Sequence, residues 1–386
     1  MSLSLKNITS TLLLALVLTR CKDPFVSPYV SPPTGYLVVE AFITGNGPTR
    51  VTLSRTIPVS GNVKPPTETK ARLQVEGDDN SAYTLDELGN GVYGVDALPL
   101  NPTVKYRLRI HTAGNKDYLS DYVPFRSTPA IDSINWTVDN SGVNIFANTH
   151  DPSNNTRYYQ WQYVETWKYT SGEYSNGIFQ KDKPFVVDRN PVDQIYYCWK
   201  NNISTSIILG SSIKLAQDVI SRQLLTHVSN DGSQLSIKYS ILVTQYALSE
   251  DAYNYLTLMQ RNTETLGSIF DAQPSNIKGN VHGLSNPAEQ VIGFISAGTV
   301  QRQRIFIDRS QLPRDWRYSF SCALPDTVVP LDSAKLWAFF GPGAPFVPVN
   351  MHFTNGLFDG WSANGAYCVD CRTQGGANTQ PSFWQN

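Results

Sequence analysis

Between Tyr36 and Phe125 apolar side chains recur at every second position, in short runs parted by turn residues. In Val104–Ile110 the alternation is strict: Val104, Tyr106, Leu108 and Ile110 are apolar, with Lys105, Arg107 and Arg109 between them. Arg50–Ser54 and Ala71–Glu76 repeat the pattern, Leu37–Ile43 is a further apolar run, and Ala82–Leu85 and Val92–Val95 are shorter ones. A period of two puts one face of each segment against a core and the other in water. Gly77-Asp78-Asp79-Asn80 and Gly89-Asn90-Gly91 supply the residue types that turns require. About seven strands in about ninety residues predict an immunoglobulin-like β-sandwich over residues 36–126, without the Cys…Trp…Cys pattern of antibody domains.

Arg126–Ile131 reads as a boundary, and residues 127–386 as a larger β-rich α+β domain with one clear helix. Ser133–Ala147, Arg157–Tyr169, Ile203–Leu209 and Leu235–Tyr246 read as strands. Val291–Ala297 and Arg302–Ile307 read as a strand pair, and Leu336–Phe340 as an apolar strand closed by Gly341-Pro342-Gly343. The helix follows Ser249, which can cap it. Glu250 and Asp251 suit its first turn, Ala252, Tyr255, Leu256 and Met259 recur at helical spacing, and the pattern fades near Thr265. From Met351 onward the chain reads as loop.

The N-terminus has a different pattern. Lys6 precedes an apolar run, Ile8–Leu18, as long as a signal-peptide core and too short to span a bilayer. Thr19-Arg20-Cys21 follows, and a lone Cys there is the pattern of a bacterial lipoprotein, in which that Cys is acylated. Residues 1–21 are therefore expected to be a lipoprotein signal peptide and Cys21 the lipidation site, anchoring the protein to a membrane by lipid. Arg20 replaces the small residue usual before the Cys. Residues 22–35 carry four prolines and form a Pro-rich tether.

A hydrophobic content of 41% with 16% charged residues describes a chain with real cores. Without residues 1–21, which hold Lys6 and Arg20 but no acid, 31 basic residues become 29 against 32 acidic ones, a net charge of −3. That balance gives no electrostatic footprint for nucleic acid. Setting Cys21 aside leaves Cys198, Cys322, Cys368 and Cys371, an even number in an exported protein, which predicts two disulfides with the pairing open. The C-x-x-C at Cys368–Cys371 has no βαβ context for a redox pair and no second pair at zinc spacing.

No catalytic, metal or cofactor motif emerges. His111, His150, His227, His282 and His352 lie far apart and outside any H-E-x-x-H arrangement. Gly360-Trp361-Ser362-Ala363-Asn364 fails as a nucleophile elbow at its last position. Glu76, Asp78 and Asp79 fit a hairpin turn better than a calcium site. Within the aromatic stretch Tyr158–Tyr174, alternation assigns Tyr159, Trp161 and Tyr163 to a core face. Trp167, Tyr169 and Tyr174, near Gly172 in an expected hairpin tip, are the candidate ligand-binding rings.

The ending Tyr367-Cys368-Val369-Asp370-Cys371-Arg372-Thr373-Gln374-Gly375-Gly376, followed by Gln380-Pro381-Ser382-Phe383-Trp384, resembles the closing signature of a Bacteroidota lipoprotein family catalogued as domain of unknown function number 4249. Leu37-Val38-Val39-Glu40, Tyr118-Leu119-Ser120 leading to Thr128-Pro129-Ala130-Ile131-Asp132, and Gly279-Asn280-Val281 leading to Gly293-Phe294-Ile295 resemble the same family. The resemblance implies an outer-membrane lipoprotein, displayed on the cell surface or, as the alternative, held on the periplasmic face, and Lys22-Asp23 is similar to a surface-export signal. It further implies a neighbouring TonB-dependent, SusC-like barrel receptor as partner. It brings no assigned reaction and no cofactor, and it gives the Cys, Asp370, Arg372 and Gly positions structural roles.

The expected function is thus a lipid-anchored accessory or binding subunit of a TonB-dependent nutrient-uptake complex, not an enzyme, with a possible glycan or peptide ligand. An extracellular glycan or peptide hydrolase is the first alternative. A structural or adhesion lipoprotein of the envelope is the second.

Overall fold

The computed structural model describes residues 35–57, 64–182, 185–264, 278–318, 322 and 327–385. The expected signal peptide, Cys21 and residues 22–34 of the tether lie outside them. The fold is mainly β, as the alternation predicts.

The first body holds strands β1 (Leu37–Thr44), β2 (Thr49–Arg55), β3 (Arg72–Gly77), β4 (Ala82–Gly89), β5 (Val92–Val95), β6 (Lys105–His111), β7 (Asp117–Ser120) and β8 (Val123–Arg126). Their alternate apolar residues meet in one core that includes Leu37, Val39, Ile43, Val51, Leu53, Leu73, Val75, Leu108 and Ile110, all at most 2% exposed. Glu76 of β3 pairs with Arg107 and Arg109 on β6, so the acid of the Glu76–Asp79 turn is matched by cations on the next strand.

Residues 36–126 do not complete this body. The division expected at Arg126 fails for residues 281–298, which return to it. Residues 131–247, which hold strands of the other bodies, come first. The returning segment then supplies β18 (Val281–Gly283), β19 (Val291–Ile292) and β20 (Ser296–Gly298). β18 pairs with β7, whereas β19 and β20 both run parallel to β1. β20 also pairs with β8, and β8 with β6, so the path β1–β2–β5–β4–β3–β6–β8–β20 closes on itself. The reason is physical: β1 has one partner in β2, and without residues 291–298 its other edge would be left with unpaired backbone groups. Asn280 clasps the segment, donating from Nδ2 to the Ile295 carbonyl (3.0 Å) and accepting from Ile295 N–H (2.7 Å). Phe294 sits beyond this clasp, and Val291–Ala297 does not pair with Arg302–Ile307 as the sequence suggested.

The second body is a sandwich. One sheet has the order β16 (Asp218–Ser229), β10 (Gly142–Asp151), β9 (Ile131–Val138). The other runs β14 (Tyr197–Ile203), β11 (Tyr158–Thr170), β17 (Lys238–Ala247), β21 (Val300–Asp308), with β15 (Ile208–Ser211) also on β11. Val143, Ile145 and Val228 of the first sheet meet Tyr159, Trp161, Ile241 and Val243 of the second. Two residues separate the end of β17 from helix α1 (Glu250–Glu264), and Ser249 Oγ accepts from Ala252 N–H (3.1 Å) as an N-cap.

A small third unit gathers the hairpin β12 (Gly177–Gln180) and β13 (Phe185–Asp188), the sheet β22 (Thr327–Pro330), β24 (Leu357–Gly365), β23 (Phe346–Thr354), and helix α2 (Ser333–Phe340). Two expectations are corrected here. Leu336–Phe340 is helical: its uniform apolar run hides the period, whereas Asp332 caps the helix by accepting from Lys335 N–H (2.9 Å), and Leu336 and Phe340, one turn apart, are buried. Residues 351–365 belong to a β-hairpin whose turn uses Asn355 and Gly356, both at positive φ, and only the stretch after Gly365 lacks strands.

The four predicted cysteines form two disulfides, Cys198–Cys371 and Cys322–Cys368. The C-x-x-C therefore does not close on itself but ties the chain end to two distant segments. Asp370 accepts from the backbone N–H, Nε and Nη2 of Arg372. Gly375 has φ +84°, and a Cβ on Gly376 would lie 2.3 Å from the Tyr169 hydroxyl.

Candidate functional site: a groove between the two β bodies

The alternation that fills the cores also fixes what faces outward. In β17, Val243 and Gln245 point into the sandwich and are fully buried, so Thr244 and Tyr246 point away from it. Register extends that face sideways: Gln162, Thr244 and Arg302 stand opposite one another on β11, β17 and β21, and Gln160, Tyr246 and Val300 form the next row. In β1, Val39 and Ile43 are buried, which turns Val38, Glu40 and Phe42 outward, with Thr52 opposite Glu40 and Arg50 opposite Phe42 on β2.

These two outward faces look at each other across a groove of about 540 Å3. Phe42 and Tyr246 meet edge to face across it, with ring centroids 4.8 Å apart. One end is pinned where Asn46, in the β1–β2 turn, donates from Nδ2 to the Val300 carbonyl (2.8 Å) and accepts from Val300 N–H (2.9 Å). Helix α1 and the returning segment close the other end. Tyr255 of the helix packs on Phe294 (5.5 Å), Tyr253 packs on Tyr158 (4.9 Å), and Gln260 Nε2 donates to the Ile207 carbonyl (2.7 Å). Gly293 lets the segment run close against β1, since a Cβ there would lie 2.4 Å from the Val39 carbonyl.

The groove has two characters. Leu256, Met259, Ile207, Ile292 and Phe294 make its helix end apolar. Elsewhere it presents Glu40, Arg302 and the side-chain amides of Gln160 and Gln162, the last accepting from the Tyr246 hydroxyl (3.0 Å). Arg50 is engaged with Asp96 (3.0 Å), whereas the side chains of Glu40 and Arg302 have no hydrogen-bond or ion-pair partner among the described residues. Burial raises the Tyr255 hydroxyl to about 12, against a hydrogen bond with Gly293, and the Glu40 carboxylate pushes it the same way as burial. Burial also raises Tyr246, with Arg302 acting against it. Such a lining, an apolar wall with a few polar groups between two bodies, suits a small ligand.

A second hollow of about 550 Å3 lies beside Trp316. Its two turns bind each other, Asn230 Nδ2 donating to the Asn140 carbonyl (3.0 Å), and it is open and polar.

The ring residues singled out from the sequence are not brought to the groove. Trp167 (5% exposed) and Tyr169 (1%) are core residues. Trp167 Nε1 donates to Ser233 Oγ (3.2 Å) and the Tyr169 hydroxyl to the Cys371 carbonyl (2.7 Å). The reason is that β11 keeps its period of two as far as Thr170, so Trp167 and Tyr169 share the inward face of Tyr159 and Trp161 and the hairpin tip begins later. Tyr174 is exposed and packs edge to face on Tyr196 (5.3 Å). Four histidines each stand beside an aspartate, in the pairs His111–Asp117, His150–Asp132, His282–Asp121 and His352–Asp359, and no two share a partner. Glu40, Gln162, Tyr246 and Arg302 were missed because the sequence was read for its inward positions. The signal available was the polar half of the same alternation.

Among the described residues no helix is long and apolar enough to cross a membrane, which says nothing of a β-barrel. No curated protein matches the chain. Among solved structures, the chicken interferon gamma receptor alpha chain is 11% identical with a TM-score of 0.13, over 56% of this chain and 90% of that one. Chitinase ChiA74 from Bacillus thuringiensis is 11% identical with a TM-score of 0.15, over 50% of this chain and 28% of that one. Likenesses this slight carry no argument. The family profile described as "Domain of unknown function (DUF4249)" matches residues 22–304, stopping short of the Cys368–Gly376 ending. That match spans more than half of the chain, and the protein belongs to the DUF4249 family.

Proposed function

We propose that this protein is a binding subunit, held at the outer membrane by a lipid on Cys21, displayed at the cell surface and serving a TonB-dependent, SusC-like barrel in nutrient uptake. The groove is the observation that carries the reading. It joins two β bodies through a preformed wall of aromatic, amide and charged side chains, and its shape rests on backbone pairing rather than on a single loop. The role is binding rather than chemistry: the groove offers surfaces and charges to hold a ligand for delivery to the barrel. The lipoprotein pattern of residues 1–21, the Pro-rich tether and the family resemblance support the location and the partner.

Affinity purification from gently solubilised outer membranes of the native host tests this. The expected result is one TonB-dependent barrel recovered in stoichiometric amount. Recovery of the protein alone, or from the inner membrane, would contradict the proposal.

A further inference from the structure

We infer that the groove takes a short zwitterionic peptide with apolar side chains, its terminal carboxylate at Arg302 and its terminal ammonium at Glu40. This rests on the binding role proposed above and names the ligand class of that site. Arg302 and Glu40 project from facing walls, one from β21 and the other from β1, and neither is matched by an opposite charge among the described residues. Both side chains are exposed at the rim of the groove, where a charge-assisted hydrogen bond to a ligand of opposite charge would fix its orientation. The guanidinium of Arg302 lies at the pinned end, where a Cβ on Gly47 would be 3.2 Å from its Nη1. Glu40 is two residues along β1 from Phe42, which is about 7 Å of strand. A ligand reaching both charges therefore needs opposite charges at its two ends.

The rest of the lining separates a peptide from its rivals. The amides of Gln160 and Gln162 can each give and take a hydrogen bond, as a peptide unit requires. Leu256, Met259 and Phe294 offer apolar area that a sugar, covered in hydroxyls, would leave unfilled. A fatty acid would satisfy Arg302 and fill the apolar end but would offer no charge to Glu40.

Isothermal titration of the full chain in detergent decides it. The probes are the tripeptide Ala-Leu-Phe, its C-terminal amide, its N-acetyl form and maltotriose. The free tripeptide should bind, and amidation and acetylation should each weaken it at least tenfold. Arg302→Gln should abolish the amidation penalty and spare the acetylation penalty, and Glu40→Gln should do the reverse. Capped peptides that bind as well as the free one, penalties that persist in both variants, or no binding of the free peptide at millimolar concentration would overturn the peptide class. The groove itself is tested separately with Gln162→Trp. If that variant blocks a capped peptide or maltotriose, the groove stands and the ligand class falls. If free-peptide binding survives it, the groove is not the site.

Discussion

Asp151, at the end of β10, shows how much a single buried carboxylate holds in place. It accepts from the N–H and hydroxyl of Ser153 (2.9 and 2.6 Å) and from the N–H of Asn155 (3.0 Å) and Thr156 (2.8 Å). Burial works against the charge, but the donors from Ser153 and Thr156 outweigh it and lower the pKa to about 2, from an ordinary 3.8. A carboxyl whose pKa is lowered by folding stabilises the protein above its unfolded value and loses that contribution as pH falls through the folded one. Asp151→Asn should therefore cost about 2 kcal/mol at pH 7. In denaturant titrations its gap from the wild type should close between about pH 4 and pH 2. A gap independent of pH would refute the assignment. The aromatic residues make a second case at this scale. Trp167→Ala should cost about 3–5 kcal/mol, the usual penalty for emptying a core ring. Tyr174→Ala, at an exposed site, should stay within about 1 kcal/mol. Equal effects in thermal unfolding would contradict the placement of Trp167 in the core. Trp167 and Tyr159 were legible to different degrees for one reason. The strand was read to Tyr169 and alternation identified its inward face at Tyr159, Trp161 and Tyr163, but the same parity continues to Trp167 and Tyr169, which are covered there by elements far off in sequence, Ser233 and the Cys371 carbonyl among them.

Among the elements, local chemistry and distant pairing divide the fold. The strands of residues 36–126 could be read because each carries its own period and turn residues, and α1 because Ser249 and its acidic first turn mark its start. The parallel pairings of β19 and β20 with β1 could not, since nothing in segments of two or three residues says which edge they join. Nor could the disulfide pairing, which joins residues 173 and 46 positions apart. Cys198–Cys371 ties residue 371 to β14, and nearby Trp384 packs on Trp199 of β14 (6.3 Å) and on Phe306 of β21 (5.6 Å). A cross-link closing so long a loop restricts the unfolded chain, and its removal typically costs about 2–5 kcal/mol. Cys371→Ala should lower the unfolding midpoint under oxidising conditions, and a reductant should remove most of the difference from the wild type. Identical midpoints without reductant would show that the bond contributes nothing.

At the scale of the molecule, the groove exists because one sequence segment belongs to two bodies. Within residues 281–308, β18, β19 and β20 join the first body through β7 and β1, and β21 belongs to the sandwich. The outward faces of β1 and β17 are thereby held opposite each other, and the apolar-or-polar choice at each outward position becomes the lining of a site. That lining was present in the sequence as Glu40, Phe42, Gln162, Tyr246 and Arg302, but periodicity alone assigns such positions to water. Only the pairing of distant strands makes them a groove. Native mass spectrometry of the full chain, purified from its own membranes, is the most direct test of the central claim that this groove binds a ligand. The wild type should carry a small-molecule adduct that Gln162→Trp lacks while remaining folded. A wild type without any adduct, or an adduct that the variant keeps, would contradict the account.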